Sequence, residues 1–212
     1  MQLRKSIGLY GAIIALSVGV LGVYGFQSFN LGESQTSSTN LENSHIGGHV
    51  TMFATDPDGR ITAYRQSDNI VVSQGEDCAA KALFTLTTGT YTDCTGTLTG
   101  GSFTVMALGT GVNGNAKGNT ALTTETTATG LTRAAATTVN ATVASGGAGA
   151  LVSLQKTFTN TSAGAVVVTE AGLFNSTDKT TDGMFAEEPI SPSITLNNND
   201  ALTVKWTITI GS

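Results

Sequence analysis

Gly109-Thr110-Gly111-Val112-Asn113-Gly114 is a literal GxGxxG, the spacing with which a strand-to-helix turn holds a dinucleotide pyrophosphate. That chemistry needs a helix opening at the loop and a βαβ unit around it. Residues 115–120 are instead another turn-rich stretch without strand-helix alternation, so the glycines read as a wide surface loop needing positive backbone dihedrals. His45 and His49 are the only histidines, four residues apart across Ile46-Gly47-Gly48. A metal pair at that spacing wants a rigid helix and a third ligand, and two glycines argue against the helix. The same scarcity leaves nothing for a histidine-based triad. Asp56-Pro57-Asp58-Gly59 opens like a calcium loop, but its twelfth position, where a bidentate acid belongs, falls near Ser67. It reads as a turn. Calcium between loops bearing Asp178, Asp182 or Asp200 is the one cofactor reading retained. No catalytic residue emerges, and the chain reads as non-enzymatic.

Two further sets of residues carry covalent chemistry. Cys78 and Cys94 are the only cysteines, and an even count in a chain that reads as exported suggests one disulfide, with two buried free thiols as the alternative. Asn140-Ala-Thr142, Asn160-Thr-Ser162 and Asn175-Ser-Thr177 are N-glycosylation sequons, meaningful where exported proteins are glycosylated and partly a product of threonine abundance.

The elements that position these residues begin with a hydrophobic segment. After Arg4 and Lys5, residues 7–26 carry no charge, and twenty helical residues span about 30 Å, the thickness of a bilayer core. Basic residues on the short side place the remainder outside. Length favours a retained anchor; a signal peptide cleaved near Gly25 is the alternative. Gly11, Ala15, Gly19 and Gly22 line one face, which suits close helix packing or reflects the frequency of glycine in such segments. Two of the ten basic residues precede this segment, leaving eight against fifteen acidic ones. That acidic balance, with no basic cluster, argues against nucleic acid as a partner.

Residues 27–46 are polar, without apolar period, and read as a flexible stalk. The remainder, 47–212, is one domain. About one residue in six is threonine, glycine numbers 26 and charged residues only 12%, a composition suited to pleated, half-solvated strands. Runs 49–55 and 60–66 flank the Asp56–Gly59 turn as a hairpin, and a second turn at Ser67-Asp68-Asn69 leads into a short strand, 70–73. Residues 75–86 read as one short helix. Strands are expected at 102–108, 132–143, 150–159, 164–174, 183–187 and 201–210. The last alternates cleanly, Leu202, Val204, Trp206, Ile208 and Ile210 against Thr203, Lys205, Thr207 and Thr209. The expected class is all-β, an antiparallel sandwich of jelly-roll or immunoglobulin-like type with one short helix, preceded by the hydrophobic helix.

Residues 105–124 (VMALGTGVNGNAKGNTALTT), 168–187 (VTEAGLFNSTDKTTDGMFAE) and 191–210 (SPSITLNNNDALTVKWTITI) together resemble β-sandwich modules of tailed-phage tail-fibre and baseplate proteins, and of exported proteins of archaea and their viruses. The resemblance covers about half the chain and implies a scaffold, with no catalytic residue. A tail protein does not need the N-terminal helix, which moves the module onto a membrane, a filament or a membrane-containing virion. The first 26 residues resemble the layout of archaeal type IV pilins and archaellins, although the junction Lys5-Ser6-Ile7 lacks a preceding glycine or alanine and an early acid.

These readings imply a cell-surface, extracellular or virion-surface protein, held in a membrane through residues 7–26 and forming a homo-oligomer. The first expectation is a structural subunit of a filament, coat or envelope layer. The second is a tethered adhesin whose loops 113–119 and 175–182, at the far end of the sandwich, meet a host or cell-surface receptor or glycan. A third is strand donation between neighbours by the polar stalk after cleavage.

Overall fold

The computed structural model describes residues 46–84, 102–112, 114–142, 149–180 and 182–211, without the side chains of 81–84. All lie in one compact unit, Glu42–Ser212. The hydrophobic segment with Gly11, Ala15, Gly19 and Gly22, the stalk up to residue 45 and Cys94 lie outside the described residues.

The described residues form nine antiparallel strands and one helix: β1 (Ile46–Thr55), β2 (Ile61–Val71), α1 (Ser73–Phe84), β3 (Val105–Gly109), β4 (Ala134–Ala135), β5 (Thr138–Thr142), β6 (Ala150–Thr159), β7 (Val166–Phe174), β8 (Met184–Leu196) and β9 (Ala201–Ile210). Their order across the sheet is β4-β3-β7-β8-β2-β1-β9-β6-β5. Strong alternation sets the centre. In β9, Leu202, Val204, Trp206 and Ile208 are buried while Lys205 is exposed, and Trp206 sits between Leu154 of β6 and Val50 of β1. Fully burying one such side chain contributes about 1.5–3 kcal/mol.

The sheet curls at β2. Its residues up to Asn69 pair with β1, and Ile70 and Val71 pair with Glu187 and Ala186 of β8. The strand is therefore continuous through Ser67-Asp68-Asn69, where a turn was expected. These residues find long-range partners, Asp68 with His49 and Ser67 with Glu188, in place of a local turn. The curl brings Met106, Leu108, Val168, Leu173, Ile190 and Ile194 from one half into a single core with Val50, Met52, Leu154 and Trp206 from the other.

β8 runs thirteen residues, far past the expected 183–187, despite Pro189 and Pro192. Its register against β7 is irregular between Val168 and Glu170, which accommodates the prolines. The expected strand 132–143 divides into β4 and β5. The helix begins two residues earlier than expected: the Val72 carbonyl accepts from Glu76 N, and Gln74 Oε1 accepts from Met184 N at 2.7 Å. On the second face of the β3-β7-β8 half, Leu122 packs in a smaller cluster with Val72, Val105, Ala107, Phe174 and Met184.

Candidate functional site

Alternation in β7 sends Ala171 and Leu173 into the main core and Glu170, Gly172 and Phe174 to the second face. Glu170 is fully buried there. Its Oε1 accepts from Gly111 N (3.2 Å) and Thr124 N (2.9 Å), and Oε2 from Thr123 N (3.0 Å). The N–H groups near the GxGxxG that would cradle a phosphate thus hold an internal carboxylate. Gly109 and Gly111 leave room for it, since a Cβ at either would collide with the Glu170 side chain. Neither has a positive φ; among the described residues of this loop the left-handed one is Asn115, at 50°. The expected dihedral reason for these two glycines is therefore replaced by close approach.

Glu187 repeats the device one strand over. It is fully buried on the same face and accepts from Ala116 N (3.0 Å) and Asn119 Nδ2 (2.7 Å). The Lys117 carbonyl accepts from Ser73 N, and Lys117 Nζ meets Glu76 at 2.6 Å. Residues 114–119, part of the expected binding loop 113–119, are mostly exposed and are tied to β8 through Glu187.

The segment's other end meets the β7–β8 loop at Arg133, whose side chain is 5% exposed. Its guanidinium takes Glu125 in a fork (Nε 3.2 Å, Nη2 2.8 Å), pairs with Asp182, donates to the Ser176 carbonyl at 3.1 Å and lies 3.9 Å above the Phe174 ring. Lys179 approaches Glu125 at 3.2 Å. Asp178, exposed, accepts from Thr180 N and Oγ1, which holds its carboxyl below the ordinary carboxylate range. Asp200 accepts from Asn197 N and Nδ2 in the β8–β9 turn. Asp178 and Asp182 lie in the β7–β8 loop and Asp200 in the β8–β9 turn, and among the described residues no cluster of three or more acids, histidines and cysteines could hold a metal. Asp56 and Asp58 face Arg60 across the first turn.

A third polar group sits where β2 changes partners. Ser67 Oγ donates to Glu188 Oε1. Glu188 Oε2 and both amide atoms of Asn69 are buried without a partner. Burial, the largest influence, pushes the Glu188 carboxyl above its ordinary value. A cavity of about 200 Å³ adjoins it, floored by Val50 and Met52 with Arg65 at its side. A serine donating to a carboxylate is half of an activated nucleophile. Among the described residues the one histidine is on the other face: His49 pairs with Asp68 (3.0 Å) on the outer side, while Ser67 faces inward.

The outer face of β2-β1-β9-β6-β5 is broad and weakly charged. Register places Gln66, Thr51, Lys205, Gln155 and Thr138 in one row, and Asp68, His49, Thr207, Ser153 and Asn140 in the next. All five residues of β5 are exposed at the sheet's edge. The sequons fare differently. Asn140 is exposed. Asn160 is fully buried, its Nδ2 donating to the carbonyls of Gly164, Leu196 and Asn197. Asn175 is 8% exposed and accepts from Gly183 N at 2.7 Å. Cys78 is buried and disulfide-bonded. Among the described residues, no helix is long and apolar enough to cross a membrane.

Sequence reasoning missed Glu170, Glu187 and Arg133 as organising residues. The signal available was an acid at an alternating, otherwise apolar position of a strand, as in Val168-Thr-Glu170-Ala-Gly-Leu173. No family model, curated protein or solved structure matches the chain.

Proposed function

We propose that this chain is a non-enzymatic structural subunit, displayed on the outside of a cell or virion as part of a filament, coat or envelope layer. One observation carries the reading. The buried groups Glu170, Glu187 and Arg133 fasten loops to the scaffold, and beside them stands a wide, threonine-rich face ending in an open strand edge that the fold can offer to a partner. In this reading the curled sheet is a β-sandwich, residues 7–26 anchor the chain in a membrane, and the domain lies outside.

A second reading, a tethered adhesin, draws on one feature. A groove of about 470 Å³ lined by Thr110, Thr124, Thr127, Val167 and Thr169 offers hydroxyls to a glycan. Deleting the gene separates the two. Loss of a regular surface layer or filament in electron micrographs supports the structural role. An unchanged surface that no longer attaches to its target refutes it in favour of the adhesin.

A further inference from the structure

β5 closes one side of the sheet with every residue exposed. Its pairing with β6 runs from Thr138↔Gln155 to Thr142↔Leu151 without a shift, so the edge carries no bulge. It holds no charged residue and no proline, the side chains that natural proteins set against edge-to-edge pairing. The opposite side ends at β4, only two residues long. By the geometry of an antiparallel ladder, alternate N–H and C=O groups of β5 point away from β6, a template for another strand.

The order of side chains along β5 selects the partner. Thr138-Val139-Asn140-Ala141-Thr142 reads alike in both directions: hydroxyl, apolar, amide, apolar, hydroxyl. Antiparallel pairing with a second β5 about a two-fold axis at Asn140 sets Thr138 opposite Thr142, Val139 opposite Ala141, and Asn140 opposite its own counterpart. All five pairs match in kind, as stabilising cross-strand pairs do, and a two-fold contact requires this self-complementarity. The register also keeps each face consistent. Val139 and Ala141 lie on the core side with their partners Leu154 and Val152, and Val139, 50% exposed, gains cover from Ala141 of the second copy. On the outer side the row from Asp68 to Asn140 continues into its symmetry mate. Two five-strand faces become one of ten strands, roughly 48 Å wide at about 4.8 Å per strand.

We infer that the β5 edge is a homotypic contact, in which two copies of this chain pair antiparallel through residues 138–142, centred on Asn140. Five residue pairs bury far less than the roughly 1,000 Å² of a free-standing interface. The contact therefore operates between copies already held side by side, where effective concentration stands in for area; in this it rests on the displayed-subunit reading. It also commits Asn140 chemically. Directly opposite Cβ atoms lie about 4.5–5.5 Å apart, which leaves no room for two N-linked sugars, so at most one copy of a pair carries one there.

The test uses the full chain in its native envelope or particle. Asn140→Cys sets two thiols opposite each other within disulfide reach, and mild oxidation yields a reductant-sensitive dimer as the main species. Lys205→Cys, exposed but in the middle of the sheet, yields none above background. Co-expressed Thr138→Cys and Thr142→Cys chains repeat the result through the same register if the first variant folds poorly. Adding Val139→Lys to Asn140→Cys abolishes the dimer. Absence of the dimer from both thiol placements, while an amine cross-linker still captures multimers of the native chain, overturns β5 pairing and leaves the displayed-subunit role intact. Absence of multimers by any route overturns both. Sugar on Asn140 of well over half the assembled copies overturns the pairing as well.

Discussion

Replacing Glu170 with alanine strips the carboxylate from three backbone N–H groups, those of Gly111, Thr123 and Thr124. Each buried donor left unsatisfied costs about 1–3 kcal/mol, which sums to about 3–9 kcal/mol. The loop has an alternative to bearing that cost. It can lift off the sheet and solvate its N–H groups, giving up the burial of Leu122, which is 8% exposed, for about 1.5–3 kcal/mol. The expected loss is therefore about 1.5–3 kcal/mol, a sizeable part of the roughly 5–15 kcal/mol that holds a typical domain folded. Glu170→Gln is milder. The oxygen at Oε1 still accepts from Gly111 and Thr124, and only Thr123 N faces a donor, for about 1–3 kcal/mol. Urea unfolding gives the totals. Amide hydrogen exchange gives the location, with protection lost at Gly111, Thr123 and Thr124 before the β1-β9-β6 core opens. An alanine variant that loses less than about 1 kcal/mol, or one whose Thr123 and Thr124 exchange as in the native chain, refutes the clamp.

Four other outcomes follow from the same contacts. Arg133→Ala leaves the mostly buried Asp182 carboxylate uncompensated and Glu125 with Lys179 alone and costs about 3–5 kcal/mol in chemical denaturation; Arg133→Lys recovers only part, because a point charge replaces neither the fork to Glu125 nor the stacking on Phe174. Glu188 binds its proton more tightly folded than unfolded, so stability falls as pH rises from about 4.5, the ordinary value, through the raised folded one; urea midpoints across that window should flatten in Glu188→Gln and be higher than native at neutral pH. Cys78→Ala costs about 2–4 kcal/mol if the bond to Cys94 closes its fifteen-residue loop, and intact mass with an alkylating agent, before and after reductant, shows both thiols blocked until reduction. Glycopeptide mapping of the folded protein finds Asn160 and Asn175 unmodified, since their amides are enclosed.

How far the fold was legible depended on whether an element carries its own pattern. β6 and β9 fall at the expected residues 150–159 and 201–210 because alternation in a strand reports directly on burial. The first hairpin was readable from Asp56-Pro57-Asp58-Gly59, and Gly59 does adopt a φ of 81°. β2 was divided in error because Ser67, Asp68 and Asn69 are turn formers by local chemistry, while His49 and Glu188, 19 and 121 residues from their partners, hold them in a strand. Prolines hid the length of β8 for the same reason, a long-range irregularity doing what local propensity forbids. The loop clamp was the least legible part. Glu170 lies 46 to 59 residues from the amides it holds, and no local pattern announces such a pairing.

The central claim, a structural subunit displayed in many copies on an outer surface, is tested most directly by cryo-electron tomography of the untreated envelope or particle, with gold-labelled antibody to the domain. The account predicts dense external label that follows a repeating layer or filament. Sparse, isolated label on the outer surface, or label that appears only after the membrane is breached, would contradict it.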